Sequence, residues 1–270
     1  MKLSVVLSTQ PAQFEAATFK GDLEENLKHI AEIGYNGVEL AIRDPKLINE
    51  GELIRLLEAY SLSVPAIGTG QAWGEEGLSF TDPDAGVREA AIKRIISHIP
   101  TASNLGAIII LGLIRGIVKP GVDKEQAMIW LVDALKRCSG EAAQQGVRLA
   151  LEPINRYETT LINSTSEGLD LIERVQAENF GLLLDTFHMN IEEADIEESI
   201  RNCGSRIFHF HVADSNRWYP GAGHLDFKKI LSTLYGTKYC GWVSGEFLPK
   251  PDAASAAEKS YLELIKYSQP

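Results

Sequence analysis

Four apolar runs in the second half of the chain end in side chains that bind metal ions: Leu149-Ala150-Leu151-Glu152, Leu182-Leu183-Leu184-Asp185, Phe208-His209-Phe210-His211 and Val243-Ser244-Gly245-Glu246. Three carboxylates gathered without a cation would repel one another, whereas a divalent ion would hold all of them ionised. A strand-end carboxylate taken alone serves equally well as a cap for the helix that follows. Recurrence at four successive runs is what indicates a metal site. Glu152, Asp185, His211 and Glu246 offer oxygen with one imidazole, which suits Mn²⁺ first, then Mg²⁺ or Co²⁺, and Zn²⁺ less. The expected cofactor is one such ion per subunit.

Two glutamates beside one ion can face opposite sides of a planar intermediate, taking a proton from one face and returning it on the other. That is epimerisation. A ketone bound to the ion would have its α proton acidified, because the developing enediolate is stabilised. Glu152 and Glu246 are therefore the expected acid/base pair.

Four of the six histidines, His188, His209, His211 and His224, fall after Asp185. Alternation along a strand puts His209 and His211 on the same face; His211, nearer the strand end, is the expected ligand, with His209 a hydrogen-bonded layer residue of the barrel. His188, three residues past Asp185, is placed to bond a substrate hydroxyl, with a supporting bond to the site as the alternative. His29 and His98 fall on helices and read as structural. Arg43, Arg115, Arg156 and Arg217 all follow strand ends, where they could meet the carboxylate of a keto-acid. Phe14, Trp73 and Trp218 are candidates for an apolar wall.

The elements that must position these groups alternate regularly. Strands are expected at Leu3 to Ser8, Gly37 to Ile42, Val64 to Thr69, Ala107 to Leu113, Val147 to Pro153, Gly181 to Phe187, Ile207 to Asp214 and Trp242 to Phe247. An amphipathic stretch follows each. Runs as apolar as Ala107-Ile108-Ile109-Ile110-Leu111 indicate strands covered on both faces. Asp22 to Ile33 places Leu23, Leu27 and Ile30 on one helical face and stops at Gly34, a left-handed C-cap. Asp82-Pro83 reads as the N-cap and first residue of a helix that ends at Gly106. Eight such units in 270 residues, without a linker, predict an α/β fold, a (β/α)₈ TIM barrel in one domain over residues 1–270. A doubly wound open sheet would carry a glycine-rich turn after its first strand, where this chain has Ser8-Thr9-Gln10-Pro11.

With 26 Lys+Arg against 37 Asp+Glu, the net charge of -11 disfavours a nucleic-acid backbone as partner. Three dispersed cysteines form no CxxC pair and suit a reducing compartment. The apolar run Leu3 to Leu7 is too short for a signal core or a membrane span. A cytoplasmic location with no membrane partner is expected.

The stretches Leu151-Glu152-Pro153-Ile154-Asn155-Arg156-Tyr157-Glu158, Asp185-Thr186-Phe187-His188-Met189-Asn190 and His209-Phe210-His211-Val212-Ala213-Asp214-Ser215-Asn216-Arg217, with Gly223-His224-Leu225-Asp226-Phe227 and Gly245-Glu246, resemble the xylose isomerase-like TIM barrels. Within them the resemblance is to the ketose 3-epimerases typified by D-tagatose 3-epimerase, over nearly the whole chain. The loops Gly68-Thr69-Gly70-Gln71-Ala72 and Ser215-Asn216-Arg217-Trp218 resemble those of the bacterial 5-keto-L-gluconate epimerase type. The resemblance implies the same four ligands, proton exchange by Glu152 and Glu246, and substrate contacts from Glu158, His188 and Arg217, with Glu158 bonding to Glu152. It implies a keto-sugar or keto-aldonate substrate (5-keto-L-gluconate, D-tagaturonate or a free ketose), the acid being preferred, and a homodimer or homotetramer. The alternatives are an aldose-ketose isomerase of the hydroxypyruvate isomerase type, a sugar-binding barrel without turnover, and a DNA-repair endonuclease, against which the acidic charge argues.

Overall fold

In a computed structural model that describes residues 2–267, eight parallel strands close into a barrel in sequence order. They are β1 (Lys2–Ser8), β2 (Gly37–Ala41), β3 (Ala66–Gly68), β4 (Ile108–Leu111), β5 (Leu149–Leu151), β6 (Phe180–Asp185), β7 (Ile207–Val212) and β8 (Trp242–Gly245). Closure runs through the pairing of β1 with β8, Leu3 against Val243 and Ser4 against Ser244. The helices are α1 (Leu23–Ile33), α2 (Glu50–Ala59), α3 (Gln71–Glu76), α4 (Ala85–Leu105), α5 (Lys124–Gln144), α6 (Thr165–Val175), α7 (Thr186–Glu192), α8 (Ile196–Cys203), α9 (Phe227–Gly236) and α10 (Ala253–Leu264). The TIM barrel read from the alternation of apolar runs is the fold observed.

The strands form where the chain is apolar on both sides of the pleat. One side packs outward against the helices, in a core that includes Val5, Val38, Ile109, Leu149 and Val243. The other points into the barrel, where Ala66, Ile108, Ile110, Ala150 and Leu183 make a smaller cluster of their own. Asp22 caps α1 by accepting from the Glu25 amide, and Gly34 closes that helix at φ 111°, as its sequence predicts.

Two local expectations are corrected. Several strands are shorter than their apolar runs: β5 stops at Leu151 and β8 at Gly245, and Thr186 and Phe187 belong to α7 rather than to β6. Apolar character persists into the loops that follow, where Ile154 and Phe247 are buried, so it overstates strand length. The cap of α4 is Asp84, whose side chain accepts from Gly86, and not Asp82. Asp82 instead accepts from the Asp84 amide and pairs with Lys119, so the turn before the helix holds the first aspartate and the second begins the helix. Among the described residues no helix is long and apolar enough to cross a membrane.

Candidate metal centre

The C-terminal ends of β5 to β8 deliver four side chains to one point at the barrel mouth. Glu152 follows β5 directly, Asp185 ends β6, His211 is the penultimate residue of β7, and Glu246 follows β8. One potential ligand atom from each lies within 4.8 Å of the others. His211 Nδ1 is 3.9 Å from Glu152 Oε1, 3.9 Å from Asp185 Oδ2 and 4.0 Å from Glu246 Oε2. These gaps are too long for hydrogen bonds and about twice the 2.0–2.2 Å ligand distance of a small divalent ion. Glu152 Oε1, Asp185 Oδ2 and His211 Nδ1 are buried and have no hydrogen-bond partner. Buried polar atoms are otherwise nearly always bonded, so three orphans aimed at one space fit an ion there.

The electrostatics agree. Burial raises Glu152 well above the ordinary carboxylate range, with Glu246 and Asp185 adding repulsion. Burial also pushes Asp185 up, and carries Glu246 to about 7. His211, which burial alone would push down, is held up at about 10 by Glu39, Glu246 and Glu152. Left to itself the cluster keeps protons on carboxylates; a cation would release them.

Asp185 performs both of the roles a strand-end carboxylate can have. Its Oδ1 caps α7 by accepting from the Phe187 amide at 2.7 Å, which leaves Oδ2 for the cluster. His188, on α7, is buried, with Nδ1 2.8 Å from Asn155 Nδ2 and Nε2 3.6 Å from Glu152 Oε1. Burial, together with the cations Arg217 and Arg115, keeps it neutral by driving its pKa well down. Glu158 bonds Asn155 at 2.8 Å and Arg217 at 2.9 Å rather than Glu152, correcting that expectation. Arg217 reaches on to Glu246 Oε2 at 3.5 Å and lies over the Phe187 and Phe14 rings.

A cavity of about 320 Å³ opens onto Glu152, His211 and Glu246 of the four and is lined further by Glu158, His188, Arg217, Phe14 and Trp73. Trp218 is absent from its wall and stacks instead under Lys250. Of the four arginines expected near a substrate carboxylate, only Arg217 lines the cavity. Arg43 faces Glu76 at 3.5 Å, and Arg156 is engaged by Glu192. Arg115, wholly buried, donates to the carbonyls of Gly112, Ile162 and Glu152. Position after a strand places a residue at the mouth; the direction of its side chain depends on the turn that follows. His224 is exposed, and His98 bonds the Arg94 and Ile42 carbonyls inside the fold.

Sequence reasoning missed Glu39. It lies inside β2, is 2% exposed, lines the cavity and bonds both His209 and His211. A charge in the middle of an otherwise apolar strand was the available signal, because a buried carboxylate requires partners.

A profile of the family described as Xylose isomerase-like TIM barrel matches residues 27–267, and the chain belongs to that family. An L-ribulose 3-epimerase of Mesorhizobium japonicum is 31% identical over 238 residues, covering 86% of this chain and 78% of its own. A 3-dehydro-D-guloside 4-epimerase of Escherichia coli is 27% identical over 260 residues, covering 93% of this chain and 96% of its own. Among solved structures, a D-allulose 3-epimerase from Methylomonas sp. in complex with D-allulose superposes with a TM-score of 0.83 at 26% identity, covering 100% of this chain and 97% of that one.

Proposed function

We propose that this carbohydrate epimerase inverts the carbon next to the ketone of a keto-sugar through an enediolate, with Glu152 and Glu246 exchanging the proton. The observation that carries this reading is the placement of the two carboxylates: they enter one cavity from β5 and β8, on either side of β6 and β7, and both line it. One takes the α proton as the C–H electron pair moves into the carbon–carbon double bond and the carbonyl oxygen becomes an oxyanion. The other delivers a proton to the opposite face, and the reverse reaction exchanges their roles.

Glu152, Asp185, His211 and Glu246 would hold a divalent ion, Mn²⁺ by donor type, that supplies positive charge beside the developing oxyanion. His188 and Arg217 line the cavity as donors for substrate hydroxyls, and Glu158 with Asn155 holds Arg217 and His188 in place. Phe14 and Trp73 wall off water. For the narrower 5-keto-L-gluconate or D-tagaturonate reading, which rests on loop resemblance, Arg217 is the one arginine of the four in position to meet the carboxylate. A free ketose needs no such partner.

The test is NMR of metal-stripped and Mg²⁺-loaded protein in D₂O with 5-keto-L-gluconate, D-tagaturonate, D-fructose, D-tagatose and hydroxypyruvate. Metal-dependent deuteration beside the ketone with appearance of the epimer supports the proposal and selects acid or neutral sugar. Migration of the carbonyl would assign the isomerase reaction instead. Protein that binds metal yet labels none of them refutes this substrate class.

A further inference from the structure

Glu39 belongs to β2, on the far side of the barrel from the ligand-bearing strands β5 and β6, yet it is tied to the metal cluster. Its Oε2 is 2.8 Å from His209 Nε2 and 2.9 Å from His211 Nε2, and its Oε1 is 3.0 Å from the same His211 nitrogen. Among the described residues its hydrogen-bond partners are these two rings, with neither Lys nor Arg among them. His209 and His211 lie edge to face, 5.2 Å apart at 76°, so both rings are fixed against one carboxylate.

The consequence falls on His211. A neutral imidazole carries one N–H and one lone pair. With Nε2–H committed to Glu39, the lone pair is on Nδ1, the atom that has no partner and faces Glu152, Asp185 and Glu246. We propose that Glu39 is a positioning residue for the metal centre, which fixes the ring plane and tautomer of His211 so that Nδ1 is the ligating atom, with His209 holding the carboxylate through the Oε2 it shares with His211. The inference rests on the metal-site part of the reading above and not on the reaction assigned to it. Carboxylate-to-histidine bonds of this kind raise the basicity of the ligand and are worth about 10- to 100-fold in metal affinity.

Glu39→Gln preserves the size of the side chain but leaves one acceptor oxygen for two imidazoles and sets an NH₂ donor against the other. Titration of the stripped protein with Mn²⁺ alone, followed by the loss of the free-ion EPR signal, should show affinity weakened about 10- to 100-fold. The far-UV circular dichroism of the metal-free variant should match wild type. A second measurement needs no substitution: in ¹⁵N-histidine spectra of wild-type protein, Mg²⁺ should shift His211 Nδ1 while Nε2 keeps its proton. A Glu39→Gln protein that binds Mn²⁺ as tightly as wild type overturns the inference, as does a metal shift at Nε2. If the variant does not fold, the wild-type spectra decide. Wild-type protein that binds neither ion removes the site and the inference with it, whereas protein that binds Mn²⁺ normally but turns over no sugar refutes only the proposed reaction.

Discussion

Glu152 and Glu246 are buried carboxylates clustered with a third, Asp185, and this arrangement has measurable consequences before any substrate is added. The Glu246 carboxyl stands at about 7 where an unfolded glutamate stands near 4.5, and Glu152 is raised as well. Between those values these carboxyls hold protons in the folded chain that the unfolded chain has lost, so their contribution to metal-free stability falls as pH rises from about 5 to 8. His211, raised to about 10, works in the same direction, since its contribution is complete below about 6.5 and disappears as pH climbs through 10. Burial lowers His98, His188 and His209, which oppose this trend up to about pH 6.5, so thermal melts of stripped protein should show Tm decreasing over pH 7–8. Saturating Mn²⁺ should flatten or reverse the trend, because the bound form has already released those protons; a Tm rising over that range in the stripped protein would contradict the cluster's electrostatics. Replacing either glutamate singly by Gln should lower kcat by about 10²- to 10⁴-fold while the metal-free fold persists or gains stability from lost repulsion. Wild-type turnover in either variant would remove the assigned roles. The four clustered residues were legible in the sequence because each closes an apolar run at the position where a barrel exposes its chemistry. Glu39 was not, since it interrupts a run from within and its partners lie some 170 positions away.

At the scale of elements, the strands set the cluster and the loops after them set much of the cavity wall around it, and the two were legible to different degrees. The strand ends could be read because hydrophobic runs report burial directly. The direction of Arg43, Arg115 and Arg156 could not, because it is decided by carbonyls and carboxylates that the fold brings in from elsewhere, such as the Ile162 carbonyl for Arg115. The loop after β7 shows the same dependence. Asp214, with no exposed surface, accepts from the amides of Ser215, Gly221 and Leu225 at 2.7, 2.9 and 3.1 Å. Between those anchors Arg217 adopts φ 60°, a left-handed conformation that an arginine rarely takes without support. Asp214→Ala removes all three acceptor contacts at once. It should cost about 3 kcal/mol of stability, on the scale of hydrogen bonds to a charged group, and should raise KM more than it lowers kcat, because Arg217 loses its anchor while the metal cluster stays in place. Steady-state kinetics beside a denaturant melt would separate the two effects, and an unchanged KM would show that Arg217 does not depend on this turn.

For the molecule as a whole, the cluster divides the barrel unequally. Its four ligands come from consecutive strands β5 to β8, whereas β1, β3 and β4 contribute walls, with Glu39 of β2 reaching the cluster through His211. An ion at this point would tie together one half of the barrel mouth, where the metal-free state instead concentrates buried repulsion. Binding to the folded chain alone stabilises it by about 2.7 kcal/mol at a hundredfold excess over Kd, which for a chain of this size corresponds to a Tm increase of roughly 5–10 °C. The increase should be reversed by chelation. Hydrogen exchange should show where it acts: amides at the C-terminal ends of β5 to β8, and those of β2 around Glu39, should gain protection on Mn²⁺ binding, while β3 and β4 should change little. Uniform protection around the barrel would mean that the ion stabilises the fold only globally. Protection confined to β5–β8, with β2 unaffected, would separate the four ligands from the Glu39 connection and locate the mechanical role of the site in the C-terminal half alone.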